Sequence, residues 1–248
     1  MLPRDLAAVA DRLKRARRVT MLTGAGVSAA SGVPTFRGAG GLWRQFRAED
    51  LATPSAFARD PRLVWEWYDW RRAIVAGCAP NRAHEVIAGW SRRFDAFHLL
   101  TQNVDGLHER AGTIGVTRLH GSIWTLRCWQ DCGAAPWSDE RVPLQPLPPR
   151  CPSCGALARP AVVWFGEPLD SADLVRADRA CACDVFLVAG TSAVVHPAAG
   201  LAEIARSRGA FVAEINPEAT MMSAAADVSL RGNAEIVLDA LEIRLAAD

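Results

Sequence analysis

Lysine is almost missing from this chain: Lys14 is the single example among 248 residues, and arginine supplies the rest of the positive charge. That scarcity reads as compositional bias and implies no mechanism. Net charge is small as well, a formal +1, which excludes a broad electrostatic pull on nucleic acid or membrane. No apolar run approaches the roughly 20 residues of a membrane span. A secretory leader pattern is also lacking. Residues 2–18 read as a basic amphipathic helix with Leu6, Val9, Ala10 and Leu13 on one face, interrupted by Asp5 and Asp11. It is taken as the first element of the fold, and a cytoplasmic protein is expected. The seven cysteines are odd in number, and four form two close pairs. A disulfide framework is thereby disfavoured against a metal site in a reducing compartment.

What is present is a large apolar fraction, 50% of residues, enough for one sizeable core with small insertions. Short, continuously apolar runs read as buried strands: Val19 to Thr23, Phe97 to Leu100, Val116 to Leu119, Val185 to Val188 and Phe211 to Ile215. Helical patterns lie between them, as in Ala198 to Ser207. The alternation predicts an α/β fold, a Rossmann-like doubly wound parallel sheet. A single unit over 1–248 is expected, its sheet domain drawn from about 1–37, 93–122 and 161–248. A helical insertion would cover about 38–92 and a zinc-ribbon insertion about 123–160.

Each apolar run is followed by small or polar residues, namely GAGVS, TQNVDG, HG, GTS and NPE. These would sit at the carboxyl edge of the sheet, where ligands bind in such folds. Gly24-Ala25-Gly26-Val27-Ser28 suits close backbone approach to a pyrophosphate at a helix start. A hydride-transferring dehydrogenase would need an acidic residue about 20 positions on, at the end of a second strand. Thr35 to Trp43 holds neither an acid nor a strand pattern. Cys128, Cys132, Cys151 and Cys154 have the spacing of a tetrahedral zinc site with no open position, hence a structural one. A nucleic-acid-binding ribbon is disfavoured, since Asp131, Asp139 and Glu140 offset the few arginines nearby. His120 stands at the presumed ligand edge, where an imidazole suits general-base work.

The stretch Gly24 to Trp43 (GAGVSAASGVPTFRGAGGLW) resembles the sirtuin signature, as do Gln102-Asn103-Val104-Asp105, His120-Gly121, Gly190-Thr191-Ser192 and Asn216, in family order. The resemblance implies an NAD-dependent protein lysine deacylase, a transferase that consumes NAD as co-substrate and carries one structural zinc. The acyl-lysine carbonyl would attack the carbon joining nicotinamide to ribose. His120 would then take a proton from the ribose hydroxyls, and hydrolysis would give free lysine and O-acyl-ADP-ribose. The resemblance implies further roles. Asn103 would hold ribose or water, and Asp105 would receive the nicotinamide amide. Gln102 would line the same pocket, and Ser28 with the glycine amides would face the phosphates. Phe36 would shield the reacting carbon and Arg37 would contact the cofactor. Thr191, Ser192 and Asn216 would hold the adenosine half, with Ala234 beside them. Ala25, Trp43, Val104 and Gly190 complete the cofactor-binding set.

Tyr68, the sole tyrosine, and Arg71 lie three residues apart and share a helix face. Periodicity alone favours an aromatic core face with solvated arginines. The Tyr-x-x-Arg pattern resembles the sirtuin subclass that removes succinyl, malonyl and glutaryl groups, with the guanidinium as a two-pronged carboxylate donor. Ala52 matches a position that keeps the acyl pocket wide. Val163-Trp164-Phe165-Gly166 matches the loop that pairs with substrate backbone. Deacetylation is compatible with this pattern. Two alternatives stay open: mono-ADP-ribosyl transfer at the same site, and a weakly catalytic NAD- and zinc-binding interaction protein. Acylated-lysine proteins or peptides are the expected partners, and a monomer without membrane or direct nucleic-acid binding is expected.

Overall fold

The structure, a computed structural model, describes residues 3–34, 42–43, 46–192 and 198–247. Helix α1 (Pro3–Arg15) leads into β1 (Arg18–Thr23), followed by a 3-10 turn over Ala25–Ser31. A short antiparallel pair, β2 (Leu42–Trp43) and β3 (Phe46–Arg47), precedes helices α2 (Ala48–Leu51), α3 (Pro54–Arg59), α4 (Pro61–Gly77) and α5 (Arg82–Arg93). The chain then forms β4 (Ala96–Thr101), α6 (Leu107–Arg110) and β5 (Val116–Arg118). A separate antiparallel sheet comprises β6 (Gly121–Cys128), β7 (Trp137–Ser138) and β8 (Ala158–Val162). Helix α7 (Ser171–Ala180), β9 (Val185–Ala189), α8 (Leu201–Ser207), β10 (Phe211–Ile215), β11 (Val228–Leu230) and α9 (Ala234–Ala246) complete the chain.

The main sheet has six strands in the order β11-β10-β9-β1-β4-β5, and every pairing is parallel. Its strands read as apolar runs because both faces are covered. In β1, Val19 and Met21 join the cluster beneath α1, α5 and α9 (Leu6, Leu13, Ile87, Leu241), while Leu22 joins the opposite cluster beneath α7 and α8 (Ala177, Leu201, Ala205). The four α1 residues expected on one face, Leu6, Val9, Ala10 and Leu13, are the buried ones. Strand β11 was not among the sequence expectations; with three residues it is too short to carry a periodic signal.

After β1 the chain fills the sheet on one side through β4 and β5, then returns to the other side through β9, β10 and β11. The order therefore reverses between β1 and β9. Outside the carboxyl ends of those strands lies the crevice that open α/β sheets use for ligands. A third apolar cluster joins α3 and α4 to the small sheet: Phe57, Trp65, Trp67 and Tyr68 pack with Ile123, Leu126 and Trp164. The antiparallel sheet runs from residue 121 to residue 162, two residues beyond each end of the range read from the cysteine spacing.

Candidate active site at the carboxyl edge of the sheet

Gly24, Gly26 and Gly190 let the loops after β1 and β9 touch; a Cβ on Gly24 would lie 2.7 Å from the Thr191 Cβ. The Gly26 N–H donates to the Gly190 carbonyl at 2.8 Å, and a Cβ on Gly26 would lie 2.8 Å from the Gly190 Cα. Gly190 has φ +60, and a Cβ there would stand 2.5 Å from the Val27 nitrogen. Any side chain would separate the loops. Ala25 opens the 3-10 turn beside them. The backbone is thus bare where the two loops meet. Gln102 bridges to the β9 loop by donating from Nε2 to the Thr191 hydroxyl at 3.0 Å, and Ser192 follows, partly buried.

Beneath this crevice runs a chain of hydrogen bonds whose directions are fixed. The Asn81 N–H donates to His84 Nδ1 at 3.2 Å, so Nδ1 is the acceptor and Nε2 carries the proton. Nε2 faces the Ser28 hydroxyl at 3.4 Å, and Asn103 Nδ2 donates to the same oxygen at 3.2 Å. Ser28 then donates to Asp105 Oδ2 at 2.8 Å, and Oδ1 accepts the Leu107 N–H at 2.9 Å. Ser28, Asn103 and Asp105 are all buried. Burial raises the Asp105 pKa, while the Leu107 and Ser28 hydrogen bonds and the charges of Arg71 and Arg110 oppose the rise. A second chain lies behind the first: Thr23 donates to Thr101 at 2.9 Å and contacts His108 Nε2 at 3.0 Å, and Thr101 accepts the Asn103 N–H at 3.0 Å. Val104 is buried, and its carbonyl accepts the Ile123 N–H.

His120 sits where the main sheet passes into the small one. Its Nδ1 faces the Gln102 carbonyl at 3.1 Å. A carbonyl only accepts, so Nδ1 holds the proton and the neutral ring presents its lone pair at Nε2. Burial lowers the His120 pKa, offset in part by that hydrogen bond. The imidazole is therefore neutral, and a base, near pH 7. Gly121 follows with φ +77; a Cβ there would fall 2.0 Å from the Ala161 carbonyl oxygen, so only glycine lets the start of β6 pair with β8.

Asn216 directly follows β10, its Nδ2 donating to the Glu218 carbonyl at 3.0 Å, and Ala234 begins α9, buried. Buried Glu214 ties this corner together, accepting from Ser223, Ser229, Arg231 and the Thr220 hydroxyl. Phe36 and Arg37 lie outside the described residues, as does the side chain of Trp43, whose backbone pairs in β2.

Beside the crevice, α4 presents two neighbouring faces. Tyr68 is buried, and Arg71 is half-buried with its guanidinium 5.3 Å from the Trp67 ring. Burial lowers the Arg71 pKa, and the nearby Tyr68 and Asp105 oppose that shift. The other face, Trp65, Asp69 and Arg72 at helical spacing, meets the small sheet. Trp65 Nε1 donates to the Ala158 carbonyl at 2.8 Å, and Asp69 accepts the Leu144 N–H at 2.7 Å. Arg72, fully buried, donates to the carbonyls of Ile123, Asp139 and Arg141 at 2.8, 2.5 and 3.0 Å. Trp124 links the same sheet to the site, donating from Nε1 to the Asp105 carbonyl at 2.6 Å. The loop after β8 is stitched on both sides: the Val163 N–H donates to the His120 carbonyl at 3.0 Å and the Phe165 N–H to the Ala52 carbonyl at 2.9 Å. Gly166 continues that loop with φ +87.

Cys128, Cys132, Cys151 and Cys154 form one cluster, their sulfur atoms all within 4.8 Å of one another. Two of the separations are 3.6 Å (Cys128 to Cys154) and 3.7 Å (Cys132 to Cys151). Four thiolates at about 2.3 Å from a tetrahedral zinc stand roughly 3.8 Å apart, so the donor set fits that ion. Cys78, Cys181 and Cys183 are buried away from it.

His84, His108, Thr23, Thr101 and Trp124 are not among the site residues expected from the sequence. The structure gathers all five around the crevice. His84 and His108 are brought there by the packing of α5 and α6, while Thr23 and Thr101 close β1 and β4 and Trp124 lies on β6.

The Sir2 family profile matches residues 24–197. An NAD-dependent protein deacylase of Aquifex aeolicus (strain VF5) is 50% identical over 217 residues, covering 87% of this chain and 90% of that protein. A Sir2 homolog–NAD complex superposes with TM-score 0.90 at 47% identity, covering 96% of this chain and 93% of the other. A mutant Sir2 homologue in complex with 2'-O-acetyl ADP-ribose gives TM-score 0.91 at 47% identity, with coverages of 99% and 96%.

Proposed function

This chain belongs to the Sir2 family and is an NAD-dependent protein deacylase, and we propose that it favours lysines carrying short acidic acyl groups, releasing nicotinamide, free lysine and O-acyl-ADP-ribose. One observation carries the chemistry. His120 is tied through Nδ1 to the Gln102 carbonyl, which leaves Nε2 as a neutral base at the edge where Ser28, Asn103 and Asp105 converge. In this reading the bare glycine loops take the diphosphate, Asp105 receives the nicotinamide amide, and Asn103 orients ribose or water. Thr191, Ser192 and Asn216 take the adenosine half. The structural zinc belongs to Cys128, Cys132, Cys151 and Cys154 and leaves no position open for catalysis.

The acyl preference rests on Tyr68 and Arg71. A phenol and a guanidinium on one helix face suit a terminal carboxylate, and Ala52 keeps the adjoining wall small. The backbone groups of Val163 to Gly166, already stitched to His120 and Ala52, suit pairing with an extended peptide. A monomer is proposed because one chain supplies every residue named. A reducing compartment, hence the cytoplasm, suits the clustered thiols. Among the described residues no helix is long and apolar enough to cross a membrane.

The decisive experiment gives the purified protein NAD and one peptide bearing either acetyl-lysine or succinyl-lysine, with products read by mass spectrometry. Faster succinyl removal with O-succinyl-ADP-ribose is expected. Faster acetyl removal would keep the deacylase chemistry and discard the acidic-acyl preference. A covalently labelled acceptor protein would indicate ADP-ribosyl transfer. Tyr68→Phe combined with Arg71→Met is expected to cut desuccinylation at least tenfold more than deacetylation, about the worth of one charge-assisted hydrogen bond.

A further inference from the structure

Tyr68 and Trp164 come from α4 and from the loop after β8, and they meet through a hydrogen bond, indole Nε1 donating to the phenol oxygen at 2.8 Å. Both side chains are nearly sealed from solvent, at 2% and 1% exposure. An indole N–H can only donate, and a phenol owns one proton. With a lone pair of the phenol oxygen taken by Trp164, the Tyr68 proton must point elsewhere, and bulk water is not at hand to receive it. Burial pushes the Tyr68 pKa up to about 12, so that proton stays in place across the neutral range. The phenol is thereby a directed donor that suits an acceptor, such as a carboxylate held beside Arg71.

Trp164 is itself held from several sides. The Arg159 guanidinium lies over its ring at 3.4 Å, and the Phe57 ring packs at 5.3 Å. A cation against an indole face draws electron density from the ring and strengthens the N–H as a donor. The Trp164 backbone N–H donates to Glu167 Oε2 at 2.8 Å. Glu167 also accepts both terminal nitrogens of Arg159, at 2.5 and 2.9 Å, and Arg159 donates to the Val162 carbonyl at 2.8 Å. The ring, its backbone and its stacking cation thus form one closed unit in which the indole cannot turn away from Tyr68.

We propose that Trp164 is a specificity-determining positioning residue, its indole N–H orienting the Tyr68 hydroxyl so that the phenol donates to the terminal carboxylate of an acidic acyl group. This goes beyond the backbone pairing assigned to its loop, and it rests on the acidic-acyl reading of Tyr68 and Arg71. Trp164→Phe deletes the N–H and keeps a ring for Arg159 to cover. Replacing Trp164 with β-(3-benzothienyl)alanine does the same with the indole shape retained, which guards against loss of folding.

Steady-state kinetics of the full chain on succinyl-lysine and acetyl-lysine peptides test the assignment. For both variants KM for the succinyl peptide is expected to rise roughly fivefold to tenfold, the effect of one well-placed hydrogen bond. Any rise in KM for the acetyl peptide, which reports disturbance of the loop's backbone pairing, should be clearly smaller than the rise for the succinyl peptide. In a Tyr68→Phe background, removing the Trp164 N–H should add nothing on the succinyl peptide, because the two residues act as one unit. Equal losses on both peptides, or no change on either, would overturn the proposal and leave Trp164 a packing residue. If Tyr68→Phe with Arg71→Met shows no selectivity, the acidic-acyl reading itself falls. Selectivity in that pair without selectivity at Trp164 would overturn the orienting role alone.

Discussion

Strand β1 buries Val19, Met21 and Leu22 within six residues, and the clusters on both faces of its sheet draw on α1, α5, α7, α8 and α9. Between Ile123 and Pro160, by contrast, the buried apolar side chains other than cysteine are Ile123, Leu126, Leu144, Pro149, Ala158 and Pro160. Burial at about 25 cal/mol per Å² can hold the sheet domain together. It cannot do so for the smaller segment, which needs staples of another kind. Two are visible: the four thiols, and the face of α4 that sends Trp65, Asp69 and Arg72 into main-chain partners. One region is stabilised by many weak, interchangeable contacts, the other by a few that have no substitute.

Removing the metal should separate the two regions most sharply. Structural zinc contributes roughly 10 kcal/mol or more of apparent folding free energy. Chelation, or Cys132→Ser, is expected to unfold residues 123–160 while the sheet domain keeps its amide protection in hydrogen exchange. Unchanged exchange in the small segment after verified metal loss would show that its packing suffices without the ion.

The next effect in size belongs to the sheet edge and leaves both regions folded. His120→Ala should lower turnover about 10²-fold to 10⁴-fold on every acyl-lysine, the range for loss of a general base, with the melting temperature nearly constant. Retained turnover would remove His120 from that role.

Arg72→Met comes third and probes the seam. It leaves the carbonyls of Ile123, Asp139 and Arg141 without that donor, while the Asp139 carboxylate keeps Arg141, for an expected loss on the order of 3 kcal/mol. Zinc should then be released at lower chelator concentration. A melting curve and zinc retention matching the parent would mean that the seam is held by Trp65 and Asp69 alone.

The smallest effect is a pH dependence confined to the sheet domain. Burial lowers the pKa of His84 to about 4 and, with repulsion from His84, that of His108 to about 3. Below roughly pH 6.5 the unfolded chain takes up protons at these two positions and the folded chain does not. Stability is therefore complete above that pH and falls as pH drops toward the folded values. From pH 7 to pH 5 the loss is on the order of 1 kcal/mol or more per histidine. His108→Gln should shrink the slope of denaturation midpoint against pH; an unchanged slope would place the acid sensitivity elsewhere.

The same contrast explains what the sequence made legible. Parallel strands covered on both faces must be apolar throughout, so Val19 to Thr23 and Val185 to Val188 announce themselves, and the polar residues after them mark the ligand edge. The cysteine spacing announces the metal. Arg72 does not: beside Arg71 it reads as one more solvated arginine, and only the turn of α4 against the small sheet buries it. His84 and His108 are equally silent, because their partners Ser28 and Thr23 are 56 and 85 residues away in sequence. Strand β6 escaped notice because its burial follows no regular alternation: Ser122, Ile123, Leu126 and Cys128 are buried and the residues between them are not.

The hydrogen bond from Val163 to the His120 carbonyl has an engineering consequence. The residue proposed as the base and the segment proposed to grip the peptide share one backbone clasp, so neither can be swapped as an independent cassette. Anyone retuning the acyl preference by grafting a loop from a relative would also be resetting the alignment of the base. The transplantable module is the whole span from Gln102 to Glu167, with its metal and its α4 support carried along.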